Sequence, residues 1–378
     1  MAETWRVTPR KVAFVKAIDA VGGAFHRAQV FPAIDPEQIR SILVLEPWHI
    51  GDVVIATAAL RALRSHFPES RITILGNADA EELLRHSRLV DEVIVFDLPW
   101  TAKSSKYDPR RYDVDRVHGL ISELRRRKFD LTIDARMDLR SNILSILTRA
   151  PRRVGFDFGG GSFLLTDAMA ADPPRHHRVD DWLSLVLPLA GDTIQRDPAS
   201  GSDIRFMPFL AVSSDESAWA EEMLRSRGIQ PGDTVVAFHG GASDPRRMWP
   251  LECYENVAQA LVSKRGVKTV FFLEPDAPDR KIPVASAVLR TSLREMMAVL
   301  TKCDLLICND SGPMHIADAL GVPVVAVFLT GNPVWHRPYH PGQKVVGRGT
   351  GHDFVVAPTE AGILEAANEQ LDARRRAL

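Results

Sequence analysis

The chain has 378 residues, of which 45% are hydrophobic and 25% are charged, a composition that excludes a mainly disordered protein. This length favours two domains, each large enough to bury its own core. The net charge of −1 provides no overall field that would attract a polyanion, so no nucleic-acid partner is predicted.

Residues 1–40 are predicted as a helical extension that precedes the first domain. Val15, Ile18, Val21 and Phe25 lie at helical spacing and form a weak amphipathic pattern. Packing of this face against the protein is favoured over contact with a membrane surface, because amphipathic helices are common on globular proteins.

Residues 41–190 are predicted as the first domain, in which short apolar strands alternate with helices. In chain order, the predicted elements are the strand Ser41–Leu45, helix Val53–Ser65, strand Arg71–Leu75, helix Ala80–His86, strand Val93–Phe96, helix Val117–Lys128 and strand Leu131–Ile133. The polar stretch Tyr107–Arg116 is predicted as a loop. Such an alternation indicates a parallel sheet covered by helices.

The loop after the first strand carries a candidate acid–base residue. Gly51 would let the chain turn into the following helix, and Asp52 would lie in the first turn of that helix. A carboxylate at the carboxyl edge of a parallel sheet could take a proton from a hydroxyl group. Position alone favours this role no more than simple capping of the helix by Asp52.

A turn-rich stretch at residues 191–204 is predicted as the linker, and residues 205–357 as a second domain of the same kind. Its predicted elements are the helix Ser214–Ser226, strand Val235–Phe238, helix Leu251–Lys264, strand Thr269–Leu273, helix Leu293–Leu300, strand Asp304–Cys308 with the helix that follows it, and strand Val324–Phe328. Ser292 and Glu295 form a capping-box pattern. Residues 358–378 are predicted as a C-terminal helix.

The most informative motif of the chain lies between Ile307 and His315. An apolar strand ends there, Asp310 or Ser311 can cap a helix, and Pro313 suits the first helical turn. Unpaired backbone N–H groups at a helix start bind anions, and Gly312 would let a ligand approach. A phosphorylated ligand is therefore predicted, with His315 one turn inside the helix.

Taken together, the pattern predicts an α/β protein with two Rossmann-like, doubly wound domains that face each other across a cleft. The carboxyl ends of both sheets, where such domains bind ligands, would then line the cleft. The three cysteines are too few and too irregularly spaced for a disulfide framework or a structural zinc site. With no signal peptide and no apolar run of about 18 residues, a cytoplasmic protein is predicted.

Two long segments resemble the signatures of a known family. Ile42–Leu63 is similar to the N-terminal signature of the ADP-heptose:lipopolysaccharide heptosyltransferases, glycosyltransferase family nine, and Asn309–Phe328 is similar to its C-terminal signature. Between them, Phe129–Asp134 with Arg140 and Ser141, and then Arg152–Phe156, also fit. Two long motifs in the right order are far more specific than one glycine-rich turn.

This resemblance implies a GT-B enzyme that transfers a sugar, heptose by family default, from a nucleoside-diphosphate sugar to a hydroxyl of lipopolysaccharide or a related surface glycan. It implies inversion at the anomeric carbon, no metal and no other cofactor. The partners would be the donor and a glycolipid or glycan acceptor, and peripheral contact with the cytoplasmic face of the inner membrane stays open.

The family roles are carried over residue by residue. Asp52 matches the general base, and His49, Gly51 and Arg140 are candidate acceptor or loop contacts. The expected donor contacts are Arg247, Asp279, Asn309, Asp310, Ser311, Gly312, Pro313 and His315. Arg247 would meet the leaving diphosphate. Asp279 matches an acidic residue near the ribose, with Glu274 as its competitor, so ADP, GDP and UDP all stay open as the nucleotide.

Three other classes of protein are alternatives to the transferase. An epimerase of the same fold would convert the donor without an acceptor, and a non-catalytic sugar-nucleotide binder would not need Asp52, Arg247 and His315 together. A nicotinamide dehydrogenase is disfavoured, because no Gly-x-Gly-x-x-Gly follows the first strand. The single clear Asp-x-Asp pattern, Asp113–Asp115, is expected in a solvated loop and is not predicted to hold a metal.

Overall fold

The computed structural model describes residues 19, 21–23, 34–101, 113–158, 160–170, 176–197, 201–274, 277–347 and 357–377. The chain divides into two compact units, Met1–Glu81 with Arg88–Gln195 and Glu82–Ser87 with Arg196–Leu378. Most of the helical extension predicted for residues 1–40 lies outside the described residues, as does most of the predicted loop Tyr107–Arg116. The predicted domain bounds therefore stay predictions.

The described part of the first unit contains a six-stranded sheet in which every strand is parallel to its neighbours. Its strands are β1 Ser41–Leu45, β2 Arg71–Gly76, β3 Glu92–Val95, β4 Leu131–Ile133, β5 Arg152–Phe156 and β6 Asp167–Met169. Their spatial order is β3-β2-β1-β4-β5-β6, the Rossmann order. Apolar runs such as Ile42–Leu45 are buried, as strands covered on both faces require.

The helices of the first half lie between these strands or follow the last of them. They are α1 Ile50–His66, α2 Ala78–Leu84, α3 Val114–Arg127, α4 Leu139–Leu147 and α5 Arg178–Val186. Helix α3 begins three residues earlier than predicted, because the Asp113 carboxylate accepts a hydrogen bond from the backbone N–H of Arg116 and caps it. Asp113 and Asp115 thus lie at a helix start and not in the solvated loop that was expected.

The second unit repeats the same strand order within its described residues. Its strands are β7 Val235–His239, β8 Lys268–Phe272, β9 Ala287–Leu289, β10 Leu305–Asn309, β11 Val324–Phe328 and β12 Lys344–Gly347. They are all parallel, in the order β12-β11-β10-β7-β8-β9. Counted from β7, this is again the Rossmann order, so the predicted pair of doubly wound α/β domains is confirmed.

The helices of the second unit are α6 Ser214–Arg225, α7 Leu251–Arg265, α8 Leu293–Leu300, α9 Gly312–Ala319, α10 Pro333–His336 and α11 Glu360–Ala377. The predicted capping box at the start of α8 is confirmed: the Ser292 hydroxyl accepts from the N–H of Glu295, and the Glu295 carboxylate accepts from the N–H of Ser292. Ser213 and Glu216 form the same motif at the start of α6.

Each unit has its own apolar core beneath its sheet. In the first unit the core includes Leu43, Leu75, Leu124 and Phe129. In the second unit, the Phe238 ring stacks on the Phe271 ring with centroids 4.7 Å apart. None of the helices in the described ranges is long and apolar enough to cross a membrane.

Residues 201–203, at the end of the predicted linker, are anchored to the second unit. Ser202 and Asp203 are fully buried. The Ser202 hydroxyl donates to the Tyr339 carbonyl oxygen at 2.9 Å, and the Asp203 N–H donates to the Tyr339 hydroxyl at 2.7 Å. The end of the predicted linker is therefore packed into the second unit.

The strand order marks the place in each unit where a ligand is expected. In the first sheet the connections reverse direction between β1 and β4, and in the second sheet between β7 and β10. Open parallel sheets bind ligands at such a switch point, outside the carboxyl ends of the strands. The residues that follow these four strands are therefore the candidates for function.

Candidate functional site

In the first unit, the switch point brings together acidic residues from two strands and one helix. Glu46 directly follows β1, Asp134 directly follows β4, and Asp52 lies in the first turn of α1. Glu46 and Asp134 are almost completely buried. Both oxygens of Glu46 and Oδ2 of Asp134 have no hydrogen-bond partner among the described residues.

A single arginine from the loop after β4 faces these carboxyl groups. Arg136 Nη1 donates to Asp52 Oδ1 at 2.6 Å, and the two side chains are only 18% and 20% exposed. The guanidinium lies over the Trp48 ring, 4.3 Å from the ring centroid. Because a planar cation stacks well on an indole face, Trp48 fixes the plane of the guanidinium.

Burial shifts the acid–base properties of the two inner carboxyl groups. It raises the pKa of Glu46 to about 8, and Arg136 opposes this shift only in part. It raises the pKa of Asp134 to about 7, against a hydrogen bond from the Arg136 N–H to Asp134 Oδ1. Perturbed carboxyl groups of this kind are typical of functional sites.

Asp52 lies inside its helix and does not cap it. His49, and not Asp52, occupies the N-cap position of α1, without a side-chain capping bond. Gly51 lies inside the first turn of α1 and does not have a positive φ, so it does not form the turn that was expected of it. Asp52 therefore accepts a charged hydrogen bond at the sheet edge, which fits an acid–base role.

The two remaining candidates of the first unit lie close by. His49 is exposed at the start of α1. Arg140, in the first turn of α4, pairs with Asp138, the residue that caps this helix. Arg140 also lies over the Trp100 ring, 5.9 Å from its centroid.

In the second unit, the buried Asn309 side chain links the chain segments that surround the switch point. Its side-chain oxygen accepts from the backbone N–H of Trp249 at 3.0 Å and from the Tyr254 hydroxyl at 2.8 Å. Its amide nitrogen donates to the Gly240 carbonyl at 2.6 Å. Asn309 is fully buried, so its side chain ties the end of β10 to the loop after β7.

The helix start after β10 has the features predicted from the sequence. Helix α9 begins at Gly312 with Pro313 in its first turn, and Ser311 occupies the N-cap position. No side-chain hydrogen bond from Ser311 caps the helix. Backbone N–H groups at such a start can donate to an anion, and the helix dipole adds a partial positive charge.

An ion pair between a buried aspartate and a partly exposed arginine lies directly beside this helix start. Arg247 Nη1 is 3.2 Å from Asp310 Oδ2, and the Asp310 side chain is only 4% exposed. Burial raises the pKa of Asp310, while Arg247 and His315 oppose that shift. Gly331, which follows β11, lies so close to the Asp310 carboxylate that a Cβ atom there would collide with it.

His315 lies one turn inside α9 and is largely buried. Its ring meets the His336 ring edge to face, with centroids 6.5 Å apart. Arg247, Asp310 and His315 thus form one group at the carboxyl edge of the second sheet. Two cationic or potentially cationic side chains in this group suit a bound diphosphate.

The structure separates the two candidates for a ribose contact. The Asp279 side chain is 99% exposed and pairs with Arg290 at 3.0 Å. Glu274 follows the end of β8, its Oε1 is 3.4 Å from His239 Nε2, and it lies against Gly241. In Rossmann domains the acidic residue that binds the ribose follows the second strand, which here is β8, so the placement favours Glu274 over Asp279.

Comparison with known proteins decides the family. The model of "Glycosyltransferase family 9 (heptosyltransferase)" matches residues 117–357. The chain belongs to this family. It is therefore a glycosyltransferase, and the epimerase and non-catalytic alternatives are not supported.

Curated relatives and solved structures agree with this assignment. The glycosyltransferase is 23% identical to the lipopolysaccharide core heptosyltransferase OpsX of Haemophilus influenzae over 82% of its own length and 85% of the relative. It is 24% identical to lipopolysaccharide heptosyltransferase 2 of Salmonella typhimurium, over 83% and 90%.

Two solved structures share the fold. A family 9 glycosyl transferase from Veillonella parvula matches with a TM-score of 0.73 and 24% identity, over 88% of this chain and 97% of the other. The ADP-heptose LPS heptosyltransferase II of Escherichia coli matches with a TM-score of 0.69 and 22% identity, over 89% and 99%. The fold is thus GT-B, built of two Rossmann-like domains, as predicted.

Several residues of the glycosyltransferase site were not assigned a role from sequence. Glu46, Asp134 and Arg136 belong to the first cluster, and Gly331 lies against Asp310 in the second. A usable signal existed for the two acids, because each is the first residue after an apolar strand at the predicted ligand edge. No sequence pattern indicated that Arg136 would pair with Asp52, since the two positions are far apart in the chain.

Proposed function

We propose that the enzyme transfers heptose from ADP-heptose to a hydroxyl of the lipopolysaccharide core or a related surface glycan. The relatives named as heptosyltransferases of lipopolysaccharide support this choice of sugar and acceptor. The solved neighbour named for ADP-heptose supports ADP as the nucleotide. A glycolipid acceptor would bring the enzyme to the cytoplasmic face of the inner membrane, where we propose peripheral contact.

Asp52 is the general base in this proposal. Its carboxylate takes the proton of the acceptor hydroxyl while the oxygen attacks the anomeric carbon, and the bond from that carbon to the diphosphate breaks. One displacement of this kind inverts the anomeric configuration. The support is the position of Asp52 at the carboxyl edge of the first sheet, where it is partly exposed and accepts a hydrogen bond from Arg136.

The second unit stabilises the leaving group. Negative charge builds on the departing diphosphate, and a helix start with a neighbouring arginine can stabilise it without reorganisation. We assign this role to the start of α9, from Ser311 to Pro313, together with Arg247 and His315. Asn309 and Asp310 would act behind them: Asn309 fixes the end of β10, and Asp310 holds Arg247.

No metal or cofactor is part of the proposed mechanism. Metals in other transferases neutralise the diphosphate, and here the guanidinium of Arg247 and the helix dipole could carry out that task. The nucleotide ribose is assigned to Glu274 and not to Asp279, because Asp279 lies in solvent and is paired with Arg290.

The observation that carries the proposal is the group formed by Arg247, Asp310 and His315 at the start of α9. His315→Ala should weaken binding of ADP by about 1.5–3 kcal/mol, the range for a hydrogen bond to a charged group. Titration calorimetry with ADP measures this, and His118→Ala on exposed α3 is the matched control with unchanged affinity. Equal affinities of wild type and His315→Ala would place the diphosphate elsewhere.

A panel of nucleotide sugars tests the substrate class separately. ADP-heptose should raise the melting temperature more than GDP- or UDP-sugars, because a ligand stabilises the state that binds it. Release of ADP should then require an acceptor glycan. Conversion of the donor alone, without acceptor, would indicate an epimerase instead.

A further inference from the structure

We propose that Arg136 is the positioning residue of the reaction: it holds Asp52 ionised and oriented toward the acceptor hydroxyl. This inference rests on the proposed role of Asp52 as the base. It adds a second residue that does not touch the substrate but sets the pH range in which the base works. Nothing in the sequence pattern or in the relatives' names assigns such a role to Arg136.

The contact between Arg136 and Asp52 is short and largely shielded from solvent. Arg136 Nη1 lies 2.6 Å from Asp52 Oδ1, and about four fifths of each side chain is removed from solvent. Charged hydrogen bonds of this length are stronger than neutral ones, and partial burial reduces their screening by water and salt. The pair therefore differs from the exposed ion pairs on the helix surfaces of this protein, such as Arg225 with Glu222.

The conformation of the loop after β4 orients the Arg136 side chain toward Asp52. Asp134 Oδ1 accepts from the Arg136 N–H at 3.0 Å and closes a tight turn. Met137 then has φ of 55°, a left-handed conformation that is costly for a residue other than glycine. Asp138 follows as the N-cap of α4, and the Trp48 ring lies against the guanidinium on the other side.

The charges around Arg136 come from every element packed against it. Acidic groups outnumber arginines in this set. One of the arginines, Arg178, is paired with Asp181 at 2.6 Å. The full set comprises Glu46 after β1, Asp52 on α1, Asp134 and Asp138 around the loop after β4, Arg140 on α4 through its pair with Asp138, and Arg178 and Asp181 on α5.

The number of cations decides which carboxyl groups can be charged. Arg136 is bonded to Asp52 and Arg178 is paired with Asp181, so the burial of Glu46 and Asp134 favours their neutral forms. Asp52, which is less buried and directly bonded to Arg136, is the group left ionised. An adjacent cation favours the charged form of a carboxyl group and so extends its use as a base toward lower pH.

The proton balance needs no further reactant. In the transfer step the acceptor O–H bond breaks, its proton goes to Asp52, the new C–O bond forms, and the nucleoside diphosphate leaves with the bonding electrons. Asp52 returns the proton to solvent before the next turnover. Arg136 keeps its own protons throughout, since the adjacent Asp52 carboxylate raises its pKa against the effect of burial.

The experiment is a pH–rate profile of transfer for wild type, Arg136→Gln and Arg136→Lys. In Arg136→Gln the acidic midpoint of kcat/KM should move to higher pH by about 1–3 units, the shift expected when a carboxylate loses its arginine. Arg136→Lys keeps a cation and should recover most of this shift, although its kcat should stay below that of wild type because lysine lacks the planar fork. The KM for donor should change by less than about threefold, since no donor contact is removed.

Arg152→Gln is the matched control for loss of a buried arginine–aspartate pair in the same sheet. Arg152 bonds Asp167 through two nitrogens, at 2.9 and 2.6 Å, at the amino end of β5. This variant should lose stability and keep the acidic midpoint of wild type. If Arg136→Gln fails to fold, the comparison of Arg136→Lys with wild type still tests orientation through kcat, and Trp48→Leu tests the support of the guanidinium plane.

Two outcomes separate this inference from the function on which it rests. If Asp52→Asn is inactive but Arg136→Gln keeps the wild-type acidic midpoint, Arg136 is merely structural and the inference is wrong. If Asp52→Asn retains full turnover, the assignment of the base fails whatever Arg136 does.

Discussion

Replacing Glu46 by Gln should make the protein more stable at neutral pH. The change keeps the shape and polarity of the side chain and removes its ability to ionise. In the folded protein burial raises the pKa of Glu46 to about 8, from 4.5 for an unperturbed glutamate. The folded state therefore holds this proton between pH 4.5 and 8, whereas the unfolded chain releases it.

The sign and size of the effect follow from that difference. Below pH 4.5, Glu46 is protonated in both states and does not lower the free energy of unfolding. As the pH rises from 4.5 toward 8, the free energy of unfolding falls, because only the unfolded chain can ionise this group. From pH 4.5 to 7 is about 2.5 units, which at about 1.4 kcal/mol per unit gives roughly 3 kcal/mol. Glu46→Gln should avoid this loss, which corresponds to roughly 6–12 °C in melting temperature for a domain of this size.

The assay is denaturation of wild type, Glu46→Gln and the control Glu69→Gln at pH 5, 7 and 8.5. Glu69 is exposed in the turn before β2, so its replacement should change the free energy of unfolding by less than about 0.5 kcal/mol at each pH. The gain from Glu46→Gln should be small at pH 5 and grow with pH. A gain that does not vary with pH, or a loss at all three, would refute the reasoning.

Two further results are expected. Asn309→Ala should lower the free energy of unfolding by roughly 3–5 kcal/mol in a denaturant titration, because the Trp249 N–H, the Tyr254 hydroxyl and the Gly240 carbonyl all lose their partner. The control Asn256→Ala, on the surface, should lower it by less than about 0.5 kcal/mol. Similar values for the two variants would contradict the internal role of Asn309. Transfer activity should be unchanged in EDTA, and activity that is lost there and restored by Mn²⁺ would argue against the metal-free mechanism.

The fold was largely predictable because its inner strands are strongly apolar. Ser41–Leu45, Leu131–Ile133 and Val324–Phe328 were predicted with the bounds that the structure has. The short edge strands Asp167–Met169 and Ala287–Leu289 were not predicted, since three residues carry too little pattern to separate a strand from a loop. Their pairing depends on neighbours far away in sequence.

The candidate site was predictable only where local sequence determines it. The start of α9 could be predicted because Pro313 and the preceding strand are local signals. The pairing of Arg136 with Asp52 could not be predicted from the sequence, because it results from the parallel arrangement of β1 and β4. The choice between Asp279 and Glu274 as the ribose contact also depends on the folded chain. Asp279 fits by spacing along the sequence, but β8 ends close to Glu274 and Asp279 lies in solvent, so the ribose contact stays a prediction.

The most direct test of the central claim is a single-turnover measurement with Asp52→Asn at saturating ADP-heptose and acceptor. The account predicts that this variant binds the donor nearly as tightly as wild type and transfers the sugar roughly 100- to 10,000-fold more slowly, as expected for loss of a general base. Transfer at the wild-type rate would contradict the account.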